Sequence, residues 1–309
     1  MGAYIYTVAE SPRGFVPQKE GIMTVKKAII PCAGLGTRFL PVTKVVPKEL
    51  LPIVDTPALT YILEEAERSG IEEVLIVLSP RKQYIRKLFE ADDTLNAQLK
   101  SKGDDEAYAL ANRKFGLNIS FSTQRVMNGN GRAIALGRRF AKGEPVAVLF
   151  GDDVMFTGEG MPVTAQLIKA YEQTGATIVG CQRSPEDVAR KCGVMLEGAA
   201  VSDRITEVRG IVEKPEGELP GRLVSLGRFI VTPDIYDVVD RTSERQGEVY
   251  LTDAISELAK SGGKVCAYEF EARRYDIGDK EGYLEATVEF ALRDDRYRDK
   301  FKAYLNTLK

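Results

Sequence analysis

The segment Ala33-Gly34-Leu35-Gly36-Thr37-Arg38, followed by Pro47-Lys48-Glu49-Leu50-Leu51-Pro52, brings glycines and cations close together in the chain. A glycine-bearing turn lets main-chain N–H groups approach the oxygens of a polyphosphate, and Arg38 and Lys48 can neutralise charge developing on them. The loop is not a Walker A loop, because no G-x-x-x-x-G-K-[ST] is present. It also departs from the dinucleotide fingerprint, with Phe39 at the third glycine position. Phe150-Gly151-Asp152-Asp153 ends an apolar run. A carboxylate at a strand tip suits Mg2+, which takes a few carboxylates together with phosphate oxygens and water. Asp276, in Tyr275-Asp276-Ile277-Gly278-Asp279-Lys280, is the candidate second ligand, with Asp153 behind the first. Val212-Glu213-Lys214-Pro215 offers a carboxylate for sugar hydroxyls and an ammonium for a sugar phosphate. In Gln124…Gly129-Asn130-Gly131-Arg132-Ala133, a side-chain amide can read the edge of a pyrimidine while glycines admit the base.

The chain contains no histidine, which excludes Ser-His-Asp and Cys-His catalysis, His-ligated metals and His-mediated proton transfer. Transfer to an already ionised phosphate nucleophile needs no general base, so the composition permits that chemistry. Net charge is −2 and the pI about 5.7, so there is no global basic field. Neither nucleic acid nor an anionic membrane is an expected partner, and an anionic ligand must be held by local Lys, Arg and N–H groups.

The elements that must position these residues alternate in the first half of the chain, as in a mostly parallel sheet. Strands are expected over 25–31, 73–78, 119–124, 146–150 and 176–180. Thr56-Pro57 reads as an N-cap and first helical position; Leu59, Ile62, Leu63 and Ala66 lie on one helical face, and Gly70 is the stop. Helical stretches over 81–115 are polar enough to project from the core. Beyond Cys192 the pattern is hairpin-like over 194–213 and 223–231. A helix at 253–261 and a strand at 265–270 follow. From Lys280 a terminal amphipathic helix carries Leu284, Val288, Ala291 and Leu292 on one face. Ligand loops belong beyond the carboxyl ends of such strands.

The strings A-G-x-G-T-R…P-K-E-L-L-P and V-E-K-P resemble the signature of nucleotide-sugar pyrophosphorylases, and among them of bacterial UTP–glucose-1-phosphate uridylyltransferases. The resemblance runs from about Val25 to the C-terminal helix. It implies an α/β fold with a Rossmann-like, mostly parallel or mixed central sheet flanked by helices, with β-rich insertions on the sugar side. It also implies a Mg2+-dependent transfer from UTP to glucose 1-phosphate. Ala33, Gly34, Gly36, Thr37 and Arg38 then line the nucleotide, Lys48 contacts phosphate, and Gln124 and Gly129 take the base. Asp152 and Asp276 bind the metal, Gly193, Glu213 and Gly227 contact the hexose, and Lys214 holds its phosphate. Arg132 stands where the family usually has His, Asn128 where it has Lys, Asp279 where Asn is common and Tyr250 where Gln is frequent. A thymidylyltransferase, a uridylyltransferase for another hexose 1-phosphate, and a non-catalytic paralogue that binds nucleotide-sugar remain alternatives. A Rossmann oxidoreductase would want an acidic residue closing the second strand, where Leu78-Ser79 stands.

Residues 1–22 have neither a basic start nor a continuous apolar run, so they are expected to be a loose extension rather than a secretory signal, with one domain over 23–309. Cys32, Cys181, Cys192 and Cys266 form no C-x-x-C pair and are expected to be buried or semi-buried thiols. No apolar run reaches the roughly 18–20 residues that span a bilayer. A cytoplasmic homo-oligomer, dimer or tetramer, is the expectation that the resemblance adds.

Overall fold

Alternation of apolar side chains makes Lys27–Cys32 (β1) a central strand in the computed structural model, in which residues 23–308 are described. Ala28, Ile30 and Cys32 enter the core on one face, and Ile29 enters the core on the other. The expected extension over 1–22 lies outside the described residues.

From β1 the chain passes through 3-10 turns at Thr37–Phe39, Val42–Lys44 and Lys48–Leu50. A short ladder of β2 (Pro52–Ile53) and β3 (Thr56–Pro57) then leads into α1 (Ala58–Arg68) and β4 (Glu73–Leu78). A 3-10 stretch (Pro80–Phe89), α2 (Asp93–Lys102) and α3 (Asp105–Ala111) precede β5 (Asn118–Thr123). Next come α4 (Asn130–Ala135), α5 (Arg138–Ala141), β6 (Val146–Leu149) and β7 (Asp153–Phe156). Helix α6 (Val163–Thr174), β8 (Thr177–Arg183) and α7 (Glu186–Ala189) lead to the long strands β9 (Gly193–Ala200), β10 (Ile205–Glu213) and β11 (Leu223–Val231). Then follow α8 (Ile235–Arg241), α9 (Leu251–Lys260), β12 (Val265–Glu269), β13 (Arg273–Asp276), α10 (Lys280–Arg293) and α11 (Arg298–Asn306).

Nine strands form one mixed sheet in the order β5-β4-β1-β6-β11-β8-β12-β10-β9. The strands β5, β4, β1 and β6 are parallel, as the alternation of the first half requires. Strand β11 then runs antiparallel to β6 and β8, and β9 and β10 pair as a hairpin, which is the β-rich half. The helices α1 and α6 cover one face. The other face is covered by α4, α8 and α9.

Two local expectations are corrected. Thr56 does not cap α1: pairing of Ile53 with Thr56 keeps that residue extended, and the helix starts at Ala58. The Ala58 amide is met instead by the Leu51 carbonyl at 3.1 Å, and the Thr56 hydroxyl donates to Asp55 at 3.0 Å. In α10 the core face is Tyr283, Ala286 and Phe290, packed on Ile53, Val154, Tyr275 and Ile277, while Leu284 is 62% exposed. The rings bury more apolar area than the Leu284 stripe could, and Phe290 meets Tyr61 and Tyr275 edge-on. As expected, α2 and α3 project, burying no residue.

One buried ion pair joins three of these elements beneath the site. Glu65 of α1 accepts from Arg228 of β11 at 2.7 Å, and from the Thr164 amide and hydroxyl of α6 at 3.0 and 2.6 Å. Arg228 also donates to the Asp153 carbonyl at 2.8 Å. Removing one partner leaves a buried charge unmet, so Glu65→Ala is expected to cost about 3–5 kcal/mol in urea unfolding. A loss under about 1 kcal/mol, the range of an exposed pair, would contradict this account.

Candidate active site

The strands β1, β5 and β6 end on one side of the sheet, and their following loops carry most of the expected site residues. Ala33 is buried at the end of β1, whereas Gly34, Thr37 and Arg38 are exposed on the loop. Gly36 is left-handed at φ +70°, and its carbonyl accepts the Thr43 hydroxyl at 2.7 Å. Arg38 crosses to the last part of the chain and donates to the Gly278 carbonyl at 3.2 Å.

In the Lys48–Leu50 turn, neighbouring residues serve opposite sides. Glu49 is fully buried and takes the Lys82 ammonium on both carboxylate oxygens at 2.8 Å. Lys48 faces the cleft and donates to Asp152. Burial pushes Asp152 up, but the charge and hydrogen bond of Lys48, with help from Arg274, hold it below the usual carboxylate range. Burial likewise opposes the Lys48 charge, and Asp152 and Glu49 together raise that ammonium above its ordinary value.

The antiparallel pair of β7 and β13 sets Asp276 opposite Asp153 and so carries it to Asp152 across the intervening sequence. Ile277 N donates to the Asp152 carbonyl at 2.9 Å, and Gly278 N donates to Asp276 Oδ1 at 3.0 Å. A Cβ on Gly278 would lie 2.6 Å from Asp152 Oδ2 and 3.1 Å from Asp276 Oδ1, so only glycine admits both carboxylates. Among the described residues no set of three or more His, Cys, Asp or Glu side chains is arranged to hold a metal. Asp152 and Asp276 match the chemistry of Mg2+, which binds one or two carboxylates and fills its other positions with phosphate oxygens and water.

Asp153 turns away from the cleft. Arg274 lies 2.5 Å from Asp153 and 3.3 Å from Asp276. Burial above all pushes Asp153 up to about 6, with Asp276 and Asp152 adding to the rise and Arg274 and Arg228 opposing it. Gly227, left-handed at φ +68°, packs on this carboxyl: a Cβ there would be 2.0 Å from Asp153 Oδ2. The structure sets Gly227 beside Asp153.

Gln124 is buried just past the end of β5 and donates to Asn128 at 3.1 Å and to the Gly129 carbonyl at 3.0 Å. The Asn128–Gly131 loop is laced to Val249 through Val249 N to Asn128 O and Gly131 N to Val249 O, both 2.9 Å. Arg132 pairs with Asp240 of α8 at 3.5 Å.

At the far end of the β-rich half, Gly193 and Glu213 are register partners at the ends of β9 and β10, and a Cβ on Gly193 would be 2.9 Å from Glu213 Oε2. The Thr252 hydroxyl donates to Glu213 at 2.7 Å. Burial raises the Glu213 carboxyl, with Thr252, Lys214 and Arg245 pulling it the other way. Lys214 follows with its ammonium 5.5 Å from the centre of the Tyr250 ring. The half-buried Cys192 thiol is pushed up to about 11, first by burial and then by Asp153, Glu213 and Asp276 against Arg274.

Arg38, Lys48, Asp152 and Asp276 thus converge, Gln124 and Gly129 share one loop, and Gly193, Glu213 and Lys214 meet at the paired ends of β9 and β10. Sequence reasoning missed Lys82, Arg274 and Arg245. Arg274 had a signal, since alternation in Arg273-Arg274-Tyr275-Asp276 puts it on the same strand face as Asp276. Lys82 had none, lying in a polar run with no apolar period.

The profile of the Nucleotidyl transferase family matches residues 27–292. The UTP–glucose-1-phosphate uridylyltransferase of Staphylococcus haemolyticus is 41% identical over 287 residues, covering 92% of this chain and 98% of that protein. A second such enzyme, from Staphylococcus saprophyticus, is 41% identical over 288 residues, with the same coverage of 92% and 98%. Among solved structures, the UTP-bound UGPase of Acinetobacter baumannii superposes with a TM-score of 0.85 at 29% identity, covering 93% of this chain and all of that one. A UDP-glucose pyrophosphorylase in complex with UDP-glucose gives 0.78 at 33% identity, covering 88% of this chain and all of its own. In sequence and in fold, this chain belongs to the nucleotidyl transferase family.

Proposed function

We propose that the chain transfers the uridylyl group of UTP to glucose 1-phosphate, giving UDP-glucose and pyrophosphate. The observation that carries this is the convergence of Lys48, Asp152 and Asp276 around Gly278. It occurs in a chain whose relatives are named for that reaction. A phosphate oxygen of the sugar phosphate attacks the α-phosphorus of UTP, and the bond to the β-bridging oxygen breaks as pyrophosphate leaves. The nucleophile is already ionised, so no protein base is needed, in keeping with the absence of histidine. Arg38 and Lys48 neutralise charge on the triphosphate and the leaving pyrophosphate. The Ala33–Thr37 loop offers its N–H groups to the same phosphates. Gln124 and the Gly129 loop take the base, Gly193, Glu213 and Gly227 the hexose, and Lys214 its phosphate.

Family members generally use a divalent metal. We assign Mg2+ to Asp152 and Asp276; when bound it neutralises and aligns phosphate oxygens. Lys48 serves that site beforehand by keeping Asp152 ionised. Residues 23–309 act as one unit, which the single sheet from β1 to β12 supports. We assign the protein to the cytoplasm, which its free thiols support, and to a homo-oligomer, which exposed Leu284 of α10 and Tyr304 of α11 support.

Pyrophosphate release should be rapid with UTP, glucose 1-phosphate and Mg2+, absent after chelation, and about a thousandfold slower in Asp152→Ala. Turnover only with dTTP or another hexose 1-phosphate would keep the mechanism and change the substrates, a change that Tyr250 in place of Gln makes worth testing. UDP-glucose binding without turnover for any pair would contradict the assignment.

Glu213 generates a pH dependence. Its folded pKa is raised, so its proton is retained to higher pH than in the unfolded chain, which favours folding below that pKa and disfavours it above. The hydroxyl-accepting carboxylate is correspondingly lost sooner as pH falls. KM for glucose 1-phosphate should therefore rise as pH drops through a value above the ordinary glutamate range. In Glu213→Gln it should be high and flat; the same pH profile in both proteins would count against the role.

A further inference from the structure

Arg245 has no part in the transfer described above, yet it lies against the residues assigned to the sugar phosphate. Its backbone is fixed by a two-residue hairpin turn. Arg245 N donates to Glu248 O at 2.8 Å and Glu248 N to Arg245 O at 3.1 Å, with Gln246 and Gly247 both left-handed at φ +55° and +78°. Positive φ at both central positions is the type I′ pattern, and a glutamine held there is strained unless its surroundings over-determine it. They do so here, because Val249, one residue past the turn, is bonded on both its N–H and C=O to the Asn128–Gly131 loop.

The side chain reaches back toward β10. Its guanidinium carbon is 4.5 Å from the centre of the Tyr250 ring, Nε is 3.2 Å from Asp253 Oδ2, and Nη1 donates to the Glu213 carbonyl at 3.5 Å. The Lys214 ammonium lies 5.5 Å from the same ring centre. Two cations therefore share one aromatic face system, which weakens their mutual repulsion without neutralising either. The Glu213 carboxylate is occupied with Thr252, and Arg245 Nη2 is buried without a hydrogen-bond partner. A buried arginine N–H left without an acceptor is costly, and the planar guanidinium matches phosphate oxygens in a way a lysine does not.

We propose that Arg245 is the second cation of the sugar-phosphate site, giving Nη2–H to the phosphate of the hexose 1-phosphate that Lys214 also holds. The side chain is 39% exposed beside the Tyr250 ring that Lys214 also faces. The proposal rests on the assignment of Lys214 and Glu213 to the sugar phosphate. It identifies the ligand class as a phosphorylated sugar, since a neutral hexose offers no partner for the second positive charge.

The test is steady-state kinetics with UTP, glucose 1-phosphate and Mg2+ on the intact protein and on Arg245→Gln, Arg245→Lys and Lys214→Gln, with a melting temperature for each. Arg245→Gln is expected to raise KM for glucose 1-phosphate by about ten- to a hundredfold, leave KM for UTP unchanged and keep the wild-type melting temperature. Arg245→Lys should recover part of the loss. An unchanged KM in Arg245→Gln, with a raised one in Lys214→Gln, overturns the proposal and leaves the sugar-phosphate assignment standing. Equal rises in both substrates' KM, or a lowered melting temperature that lysine does not rescue, also overturn it by making Arg245 structural. An unchanged KM in Lys214→Gln removes the underlying assignment, and the role of Arg245 with it.

Discussion

Two carboxylates, Asp152 and Asp276, meet across Gly278, and the rest of the structure is arranged around that meeting. Like charges ~4 Å apart repel by roughly 1 kcal/mol in water and roughly 4 kcal/mol at an effective dielectric of 20. Such a pair persists only with compensating charge, and three cations supply it. Lys48 holds Asp152, Arg274 bridges Asp153 and Asp276, and Arg38 binds the Gly278 carbonyl between them. A bound divalent cation would add to this compensation, and its phosphate ligands would bring the reacting atoms with them.

The cations are themselves held by buried chemistry. Lys48 is turned to Asp152 because its neighbour Glu49 is anchored inward by Lys82. Strand β7, which follows Asp152, is fixed by the Arg228 contact to the Asp153 carbonyl, and Arg228 is fixed by Glu65. Ion pairs of this kind gain little net stability against apolar substitutes, but losing one partner is expensive. Their effect here is positional: they hold flexible side chains at the ends of the strands that form the site.

Legibility in the sequence followed the range of the interaction. The parallel half of the sheet was readable because buried strands such as Glu73–Leu78 are apolar runs, and the hairpin of the β-rich half because a strand such as Ile205–Glu213 alternates along part of its length. The loop after β1 was readable because its glycines and cations, adjacent in sequence, stay adjacent in space. Asp276 could be named but not placed from residue types alone, since only the β7–β13 ladder brings it to Asp152. Lys82 and Arg245 were invisible, one because its partner Glu49 is distant in sequence, the other because an arginine in a turn looks like any solvated charge. The faces of α10 were misassigned because periodicity weighs Leu284 like any apolar residue, whereas packing chose the rings of Tyr283 and Phe290. Thr56 failed as a cap because the ladder keeps it extended and the Leu51 carbonyl, just ahead of that ladder, meets the helix's first amide.

The central claim is that Asp152 and Asp276 act as one cation site shared with the nucleotide. The most direct test is calorimetric titration of UTP into the protein with and without Mg2+, in the native chain, Asp152→Asn and Asp276→Asn. The account predicts that Mg2+ strengthens UTP binding in the native protein and that either substitution alone abolishes the strengthening. A Mg2+ effect of native size in Asp276→Asn would contradict it, leaving Asp152 to act without its partner across Gly278.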